Sequence, residues 1–410
     1  MARIYPFSAY RYTPQAGPLE NLVTQPYDKI SPAMQARYLS LSPYNLVRII
    51  LGERFASDNG RENVYTRAGR HLQEWIESGM LAPDPQASLY AYTQEFTNPD
   101  GGEKLVRKGF IGLGAIEDYD ARIVHRHEQT LAGPKKDRLE LLRHTHAHFG
   151  QLFMLYPDPE LEVDRILDEA AAGRPTAVVG DEYETIHRLL QVSDAAKIAR
   201  VQEIMADKKL LIADGHHRYE TALAFRNENP DLAGARNVMM TFVNMHSPGL
   251  KILATHRVIS NVPAFDAADF VKRSGARKLA SIDELKDRVS TPAPDRIRVG
   301  IALGDGVYLI DRARASGELD VKVLHGDILG KLLNINEEAV RNESYLQYVR
   351  GIDAAVDKVT TGGAQAAFLL EATTVEQVAD VAFSGGVMPQ KSTDFYPKLL
   401  SGLTIYKIGG

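Results

Sequence analysis

The sequence predicts a mixed α/β fold, and three observations carry that expectation. Short apolar segments rich in β-branched and aromatic residues alternate with longer segments of helical period. Two strand-like runs, Ser88 to Phe96 and Leu105 to Ile116, flank the turn-forming Asn98-Pro99-Asp100-Gly101-Gly102 and read as a hairpin. Finally, Lys209 to Ala213 reads as a strand that passes through a glycine turn into a helix beginning near His216.

In chain order, Arg61 to Met80 places Val64, Ala68, Leu72, Trp75 and Ile76 along one helical face, closed by Pro83 and Pro85. After the hairpin, Lys135 to His146 is predicted helical, Gln151 to Tyr156 extended and Ala195 to Ala206 helical. Asn237 to Met245 and Lys251 to Ile259 read as strands that could pair across Ser247-Pro248-Gly249. Pro263 marks a boundary, Thr291-Pro292-Ala293-Pro294 a linker before a strand at Arg296 to Leu303, and Leu403 to Ile408 a last strand. The expected organisation is therefore a core over 1–262, a subordinate α/β module over 263–342 and a tail, 343–410, that returns to the site built by the core.

With 410 residues and 44% hydrophobic content, the chain can bury at least one large core. Its apolar runs stay below the roughly 18 residues that cross a bilayer, and Met1-Ala2-Arg3-Ile4-Tyr5-Pro6 lacks a signal-peptide layout, so a cytoplasmic protein without membrane attachment is expected. Without cysteine, thiolate catalysis, cysteine-ligated zinc and iron–sulfur clusters are excluded, and any nucleophile or ligand is oxygen or nitrogen. The net charge of -5 argues against broad nucleic-acid binding but allows a local basic pocket.

Asp214-Gly215-His216-His217-Arg218 is the densest chemistry in the chain. Glycine relieves the steric limits of the turn, and the helix that follows presents unpaired N–H groups and its positive dipole end to an anion. His216, His217 and Arg218 add donors, and a guanidinium can grip two phosphate oxygens. Asp214 could act as a base toward a hydroxyl or bind a metal, and Glu220, one turn past His216, could orient that ring. The alternative is a helix cap with solvated histidines. Two adjacent histidines and an arginine exceed what capping needs.

This run, with Pro26-Tyr27-Asp28, His127-Glu128, Thr130, Lys136-Asp137-Arg138, His256-Arg257 and Met388-Pro389-Gln390-Lys391-Ser392-Thr393, resembles the bacterial and archaeal domain-of-unknown-function family 1015 over nearly the whole chain. That family in turn resembles the ParB/sulfiredoxin superfamily, where a related turn serves free-serine kinases and a variant serves nucleotide-binding ParB proteins. The resemblance implies a ParB/sulfiredoxin-like core and phosphoryl transfer to L-serine from ATP, ADP or pyrophosphate; Mg2+ is expected because it commonly bridges donor phosphates. It implies phosphate contacts from Gly215, His216, His217 and Arg218 and a catalytic role for Asp214. A nucleotide-binding regulator without turnover is the alternative, and a homodimer is left open.

The remaining segments supply candidates for the same reaction. Lys391 and Lys398 could neutralise phosphoryl charge, with Ser392 and Thr393 adding oxygen contacts, although an exposed loop explains them too. Glu128 is a candidate base or magnesium ligand and His127 a phosphate contact. Tyr27 and Asp28 could frame an amino acid, Lys136 and Arg138 hold phosphate, and His256 and Arg257 bind a carboxylate or phosphate; each could equally be structural. His144 and His148 lack the remainder of a zinc signature, Gly109, Gly112 and Gly114 do not match a dinucleotide fingerprint, and the phosphate-loop motif is missing. Phosphoryl transfer needs a base, a phosphate cradle and neutralising charge around one centre, so His127-Glu128, the Asp214 turn and Lys391 to Thr393 are expected to line one pocket.

Overall fold

The computed structural model describes residues 2–128, 132–171 and 173–409, and the chain is the mixed α/β protein expected. It forms two compact units. Met1–Arg126, Thr130–Lys251 and Pro397–Gly410 make the first, and His127–Gln129 with Ile252–Tyr396 the second.

Nine strands build the first unit's main sheet: β1 (Ile4–Tyr5), β2 (Leu89–Thr97), β3 (Lys104–Ala115), β4 (Val124–His125), β5 (Leu152–Tyr156), β6 (Ala177–Gly180), β7 (Ile186–Val192), β8 (Leu210–Asp214) and β9 (Asn237–Asn244). Their order is β4-β8-β5-β9-β3-β2-β7-β6, with β1 beside β3. The β2–β3 hairpin is the one the sequence predicts, with Gln94 directly opposite Arg107. Gly109 on β3 is needed for close approach: a Cβ there would lie 2.4 Å from the carbonyl oxygen of Phe242 on β9.

Four helices of this unit matter below: α1 (Val64–Glu77), α2 (Ala132–Thr145), α3 (Ala195–Met205) and α4 (His216–Glu228). Asn63 caps α1, accepting from the Tyr65 and Thr66 amides while Thr66 accepts from the Asn63 amide. The predicted apolar stripe Val64, Ala68, Leu72 and Trp75 is buried, and Ala68, Leu72 and Trp75 pack with Leu141, Phe149 and Ile405. A second cluster, including Phe110, Met154, Ile212, Tyr219 and Phe242, fills the space under β8 and α4. Burying each such side chain contributes about 1.5–3 kcal/mol. Among the described residues no helix is long and apolar enough to cross a membrane.

The expected pairing of 237–245 with 251–259 does not form. β9 lies parallel to β5 and antiparallel to β3 inside the first sheet, where both its faces are covered. The later segment enters the other unit as β10 (Thr255–Ile259). There it joins β11 (Arg277–Lys278), β12 (Arg296–Leu303), β13 (Gly306–Ala313), β14 (Leu346–Arg350) and β15 (Ala366–Leu370) in the order β11-β13-β12-β15-β10-β14. This topology moves the expected boundaries. Because β10 lies between β15 and β14, residues before Pro263 and after Asn342 belong to the same sheet as the anticipated 263–342 module. Only Pro397–Gly410 of the tail belongs to the first unit, where Tyr406 and Lys407 pair with His148 and Ala147.

Candidate active site

The strand–turn–helix around Asp214 forms as the sequence predicts. β8 ends at Asp214, Gly215 takes a left-handed φ of +99°, and α4 starts at His216, its first turn closed by the Tyr219 amide on the Gly215 carbonyl at 2.9 Å. A side chain at 215 would be strained by that backbone and would lie 2.9 Å from Leu152 and 3.1 Å from the Arg218 guanidinium. α4 is anchored by buried Tyr219, Ala222 and Phe225, and the Tyr219 hydroxyl donates to the Glu117 carbonyl at 2.7 Å.

Cations converge on the Asp214 carboxylate. Lys398 Nζ donates to Oδ2 at 3.3 Å and Arg218 Nη2 lies 3.7 Å from Oδ1, while Arg218 Nη1 donates to the Gln151 carbonyl. Burial pushes the Asp214 carboxyl upward, but Lys398, Arg218 and Lys29 together overcome it and hold the group well below the usual carboxylate range. Tyr27 stands nearby, with the Arg138 guanidinium 4.1 Å from its ring centroid; burial and Asp28 raise its hydroxyl above the usual range, while Arg138 and Arg218 pull it down. Tyr27, Arg138, Gly150, Arg218 and Ser401 line a cavity of about 70 Å³. Arg138 also donates to the Ile50 carbonyl at 2.7 Å and is matched by Asp137.

The other candidates on this unit are placed more loosely. His216 is buried and His217 half-buried at the start of α4. Glu220 faces Arg126 at 3.4 Å and Lys135 at 3.7 Å, while Asp28 and Lys136 are exposed. His144 Nδ1 donates to the Glu140 carbonyl at 2.8 Å, and the His148 ring stacks on Tyr406. Thr130 lies outside the described residues.

The second unit gathers another group of candidates. Buried His127 meets Thr393 through Nε2 and Oγ1 at 2.8 Å, and its carbonyl accepts from the Met388 amide at 2.7 Å. Glu128 Oε1 accepts from the Ser392 amide at 3.1 Å. The Ser392 hydroxyl donates to the Pro389 carbonyl, which closes the loop on itself. Lys391 has a left-handed φ of +56° and an exposed side chain. Arg257, fully buried with its pKa lowered to about 10 by burial, donates to the carbonyls of Gln390 and Lys391 at 3.2 and 3.0 Å. His256 is also buried, and its Nδ1 accepts from the Leu370 amide at 3.2 Å. The candidates of the expected single pocket are thus distributed over both units: Asp214 to Arg218 and Lys398 on one, His127, Glu128 and Lys391 to Thr393 on the other.

Sequence reading missed Lys29, Gln94 and Arg107. Lys29 directly follows the singled-out Tyr27-Asp28. Arg107 gave a misleading signal, because in β3 the apolar Val106 is exposed and the charged Arg107 is buried.

Fold and site define a mixed α/β protein whose main sheet ends one strand on a carboxylate ringed by cations, at the amino end of a helix. The chain belongs to the DUF1015 family, described as a protein of unknown function, which it matches over residues 4–327. No curated protein matches it in sequence. Solved structures similar to it include the following three. A conserved hypothetical protein from Pyrococcus furiosus is 14% identical, with 68% of this chain and 91% of that chain covered and a TM-score of 0.36. A free serine kinase in complex with AMP is 13% identical, with 70% and 88% covered and a TM-score of 0.39. SbnI with C-terminal truncation from Staphylococcus aureus is 10% identical, with 72% and 87% covered and a TM-score of 0.35.

Proposed function

We propose that the protein is a phosphotransferase that moves a phosphoryl group from ATP, ADP or pyrophosphate to the hydroxyl of free L-serine. The observation that carries this reading is the convergence of Lys29, Arg218 and Lys398 on one carboxylate at the amino end of α4. Arg218 and Lys398 beside the amino end of a helix are donors suited to a phosphate, and the helix terminus adds N–H groups. The motif resemblance of the Asp214 turn to free-serine kinases supplies the acceptor.

In this mechanism the donor phosphate binds over the first turn of α4 and takes Arg218 and Lys398 as partners. Asp214 then loses the charges that suppress its basicity, so its proton affinity rises only once the donor is bound. The serine oxygen attacks phosphorus, the bridging P–O bond to the leaving group breaks, and the hydroxyl proton passes to Asp214. Arg218 and Lys398 stabilise charge on the transferring group. Magnesium would be supplied with the donor, where it would neutralise phosphate charge. Among the described residues no cluster of three or more metal-ligating side chains surrounds Asp214, and its oxygens face cations, so these residues do not build a magnesium cage.

The test incubates the full chain with L-serine and, in turn, ATP, ADP or pyrophosphate, and follows O-phosphoserine by mass spectrometry. ADP and ATP come first because AMP and ADP are the nucleotides bound to the similar free serine kinase structures. Phosphoserine formed with at least one donor, and lost on chelation of divalent ions, is the expected result. Donor consumption that ignores serine, or no phosphoserine with any donor, overturns the reading.

A further inference from the structure

Lys398 sits on a segment that follows the short strand Asp394–Tyr396 and has no ladder of its own at 397–400. A lysine side chain carries about 2 kcal/mol of rotamer entropy, so placing its ammonium on Asp214 requires at least a fixed backbone beneath it. The main sheet supplies that fixation from buried side chains. Gln94 Nε2 donates to the Lys398 carbonyl at 2.8 Å, and Arg107 Nη2 donates to the Pro397 carbonyl. Two residues on, the Leu400 amide approaches the Tyr92 hydroxyl at 3.5 Å.

The orientation of the Gln94 amide is set by its cross-strand partner. Arg107 donates to Gln94 Oε1 through Nε at 3.0 Å and also through Nη2, which leaves the amide nitrogen to face Lys398. Behind this pair the Tyr92 hydroxyl meets His187 Nδ1 at 2.7 Å, and His187 Nε2 reaches Asp181 at 3.2 Å, where Gln25 also donates at 3.0 Å. Tyr92, Gln94, Arg107 and His187 are each no more than 2% exposed. Stability does not explain a buried arginine and glutamine here, since well-packed apolar residues in such positions are commonly as stable or more so. Arg107 remains a cation at neutral pH even though burial lowers its pKa to about 10, and it acts electrostatically on Asp214.

We propose that Gln94 and Arg107 form a buried clamp that sets Lys398 on Asp214 and act as positioning residues for the phosphoryl transfer proposed above, on which this inference rests. The clamp works through the backbone: Arg107 fixes the amide, the amide fixes the Lys398 carbonyl, and the carbonyl fixes where the ammonium can reach. Neither residue touches the reacting atoms.

Two measurements on the full chain test this. The first needs no turnover: reductive methylation of lysines at pH 8, quantified by mass spectrometry, compares Lys398 in the natural protein with Gln94→Met. Releasing Lys398 from Asp214 is expected to raise its labelling about threefold or more while other lysines stay constant, as for loss of a modest coupling. Unchanged labelling of Lys398 overturns the clamp, whether or not any donor yields phosphoserine. If Gln94→Met does not fold, Gln94→Glu replaces it, since a carboxylate keeps an acceptor for Arg107 and removes the donor to Lys398; the same increase is expected. The second measurement applies once phosphoserine formation is established. Gln94→Met should lower kcat about tenfold alone and have no further effect in a Lys398→Met background. Full additivity of the two substitutions would mean that Gln94 does not act through Lys398.

Discussion

The Asp214 centre of the first unit and the His127–Glu128 knot of the second draw on equally polar sequence, yet they are built on opposite principles. Around Asp214 several cations, Lys398, Arg218 and Lys29, act on one carboxylate, beside a cavity lined by Tyr27, Arg138 and Arg218. In the knot the groups satisfy one another. His127 is used by Thr393, Glu128 by the Ser392 amide, the Ser392 hydroxyl by Pro389, and Arg257 by the loop carbonyls. Cations gathered beside a cavity suit an anionic ligand, whereas a buried hydrogen-bonded network mainly specifies a conformation. Polar density in a sequence therefore does not by itself distinguish a gathering of cations beside a cavity from a buried hydrogen-bonded knot.

The largest effect that could break this comparison is expected at Arg218. Arg218→Lys should lower phosphoserine formation about 100-fold, because a point charge cannot reproduce the guanidinium fork on a phosphoryl group. Its thermal unfolding should change little by comparison. Donor kinetics near those of the natural protein would remove Arg218 from the site.

Acid should weaken both units next, through their buried histidines and not through Asp214. Burial lowers His256 to about 4 and His325 to about 3, so both rings are neutral in the folded second unit. An unfolded histidine titrates near 6.5, so between that pH and about 4 the unfolded chain binds protons that the folded chain does not. Stability then falls as pH falls, by at most about 1.4 kcal/mol per pH unit for each ring. Asp214 behaves differently. Its depressed pKa gives a contribution that is complete above the ordinary carboxylate value near 4 and is lost only below it. Burial also lowers His148 to about 4 and lowers His187 in the first unit, so hydrogen exchange at pH 7, 5.5 and 4.5 should show protection falling in both sheets over this range, above the pH at which Asp214 contributes. Protection unchanged in both sheets between pH 7 and 4.5 would contradict this assignment.

The smallest expected effect lies in the knot. Thr393→Val removes one partner of buried His127 and should cost about 1–3 kcal/mol in urea unfolding while leaving kcat within about threefold. A loss of activity as large as that of Arg218→Lys, with unfolding unchanged, would show the knot to be part of the reaction and erase the distinction between the two regions.

The sequence alone determined the elements whose signals are local. The apolar stripe of α1, the turn of the β2–β3 hairpin and the glycine between β8 and α4 each depend on neighbours within a few residues, and each forms where predicted. The candidate residues Asp214, Arg218 and Lys398 were legible by residue type, but their mutual distances were not. Tertiary structure decided the partners of each strand: β9 and β10 are close in sequence yet enter different sheets, because pairing depends on which edges and apolar faces the rest of the chain offers. It also decided the burial of Arg107, which reverses the polarity that alternation along β3 implies. A strand pattern records which side chains share a face, whereas the cost of burying a charge there depends on Gln94 and on the carbonyl of Pro397, 290 residues away in the chain.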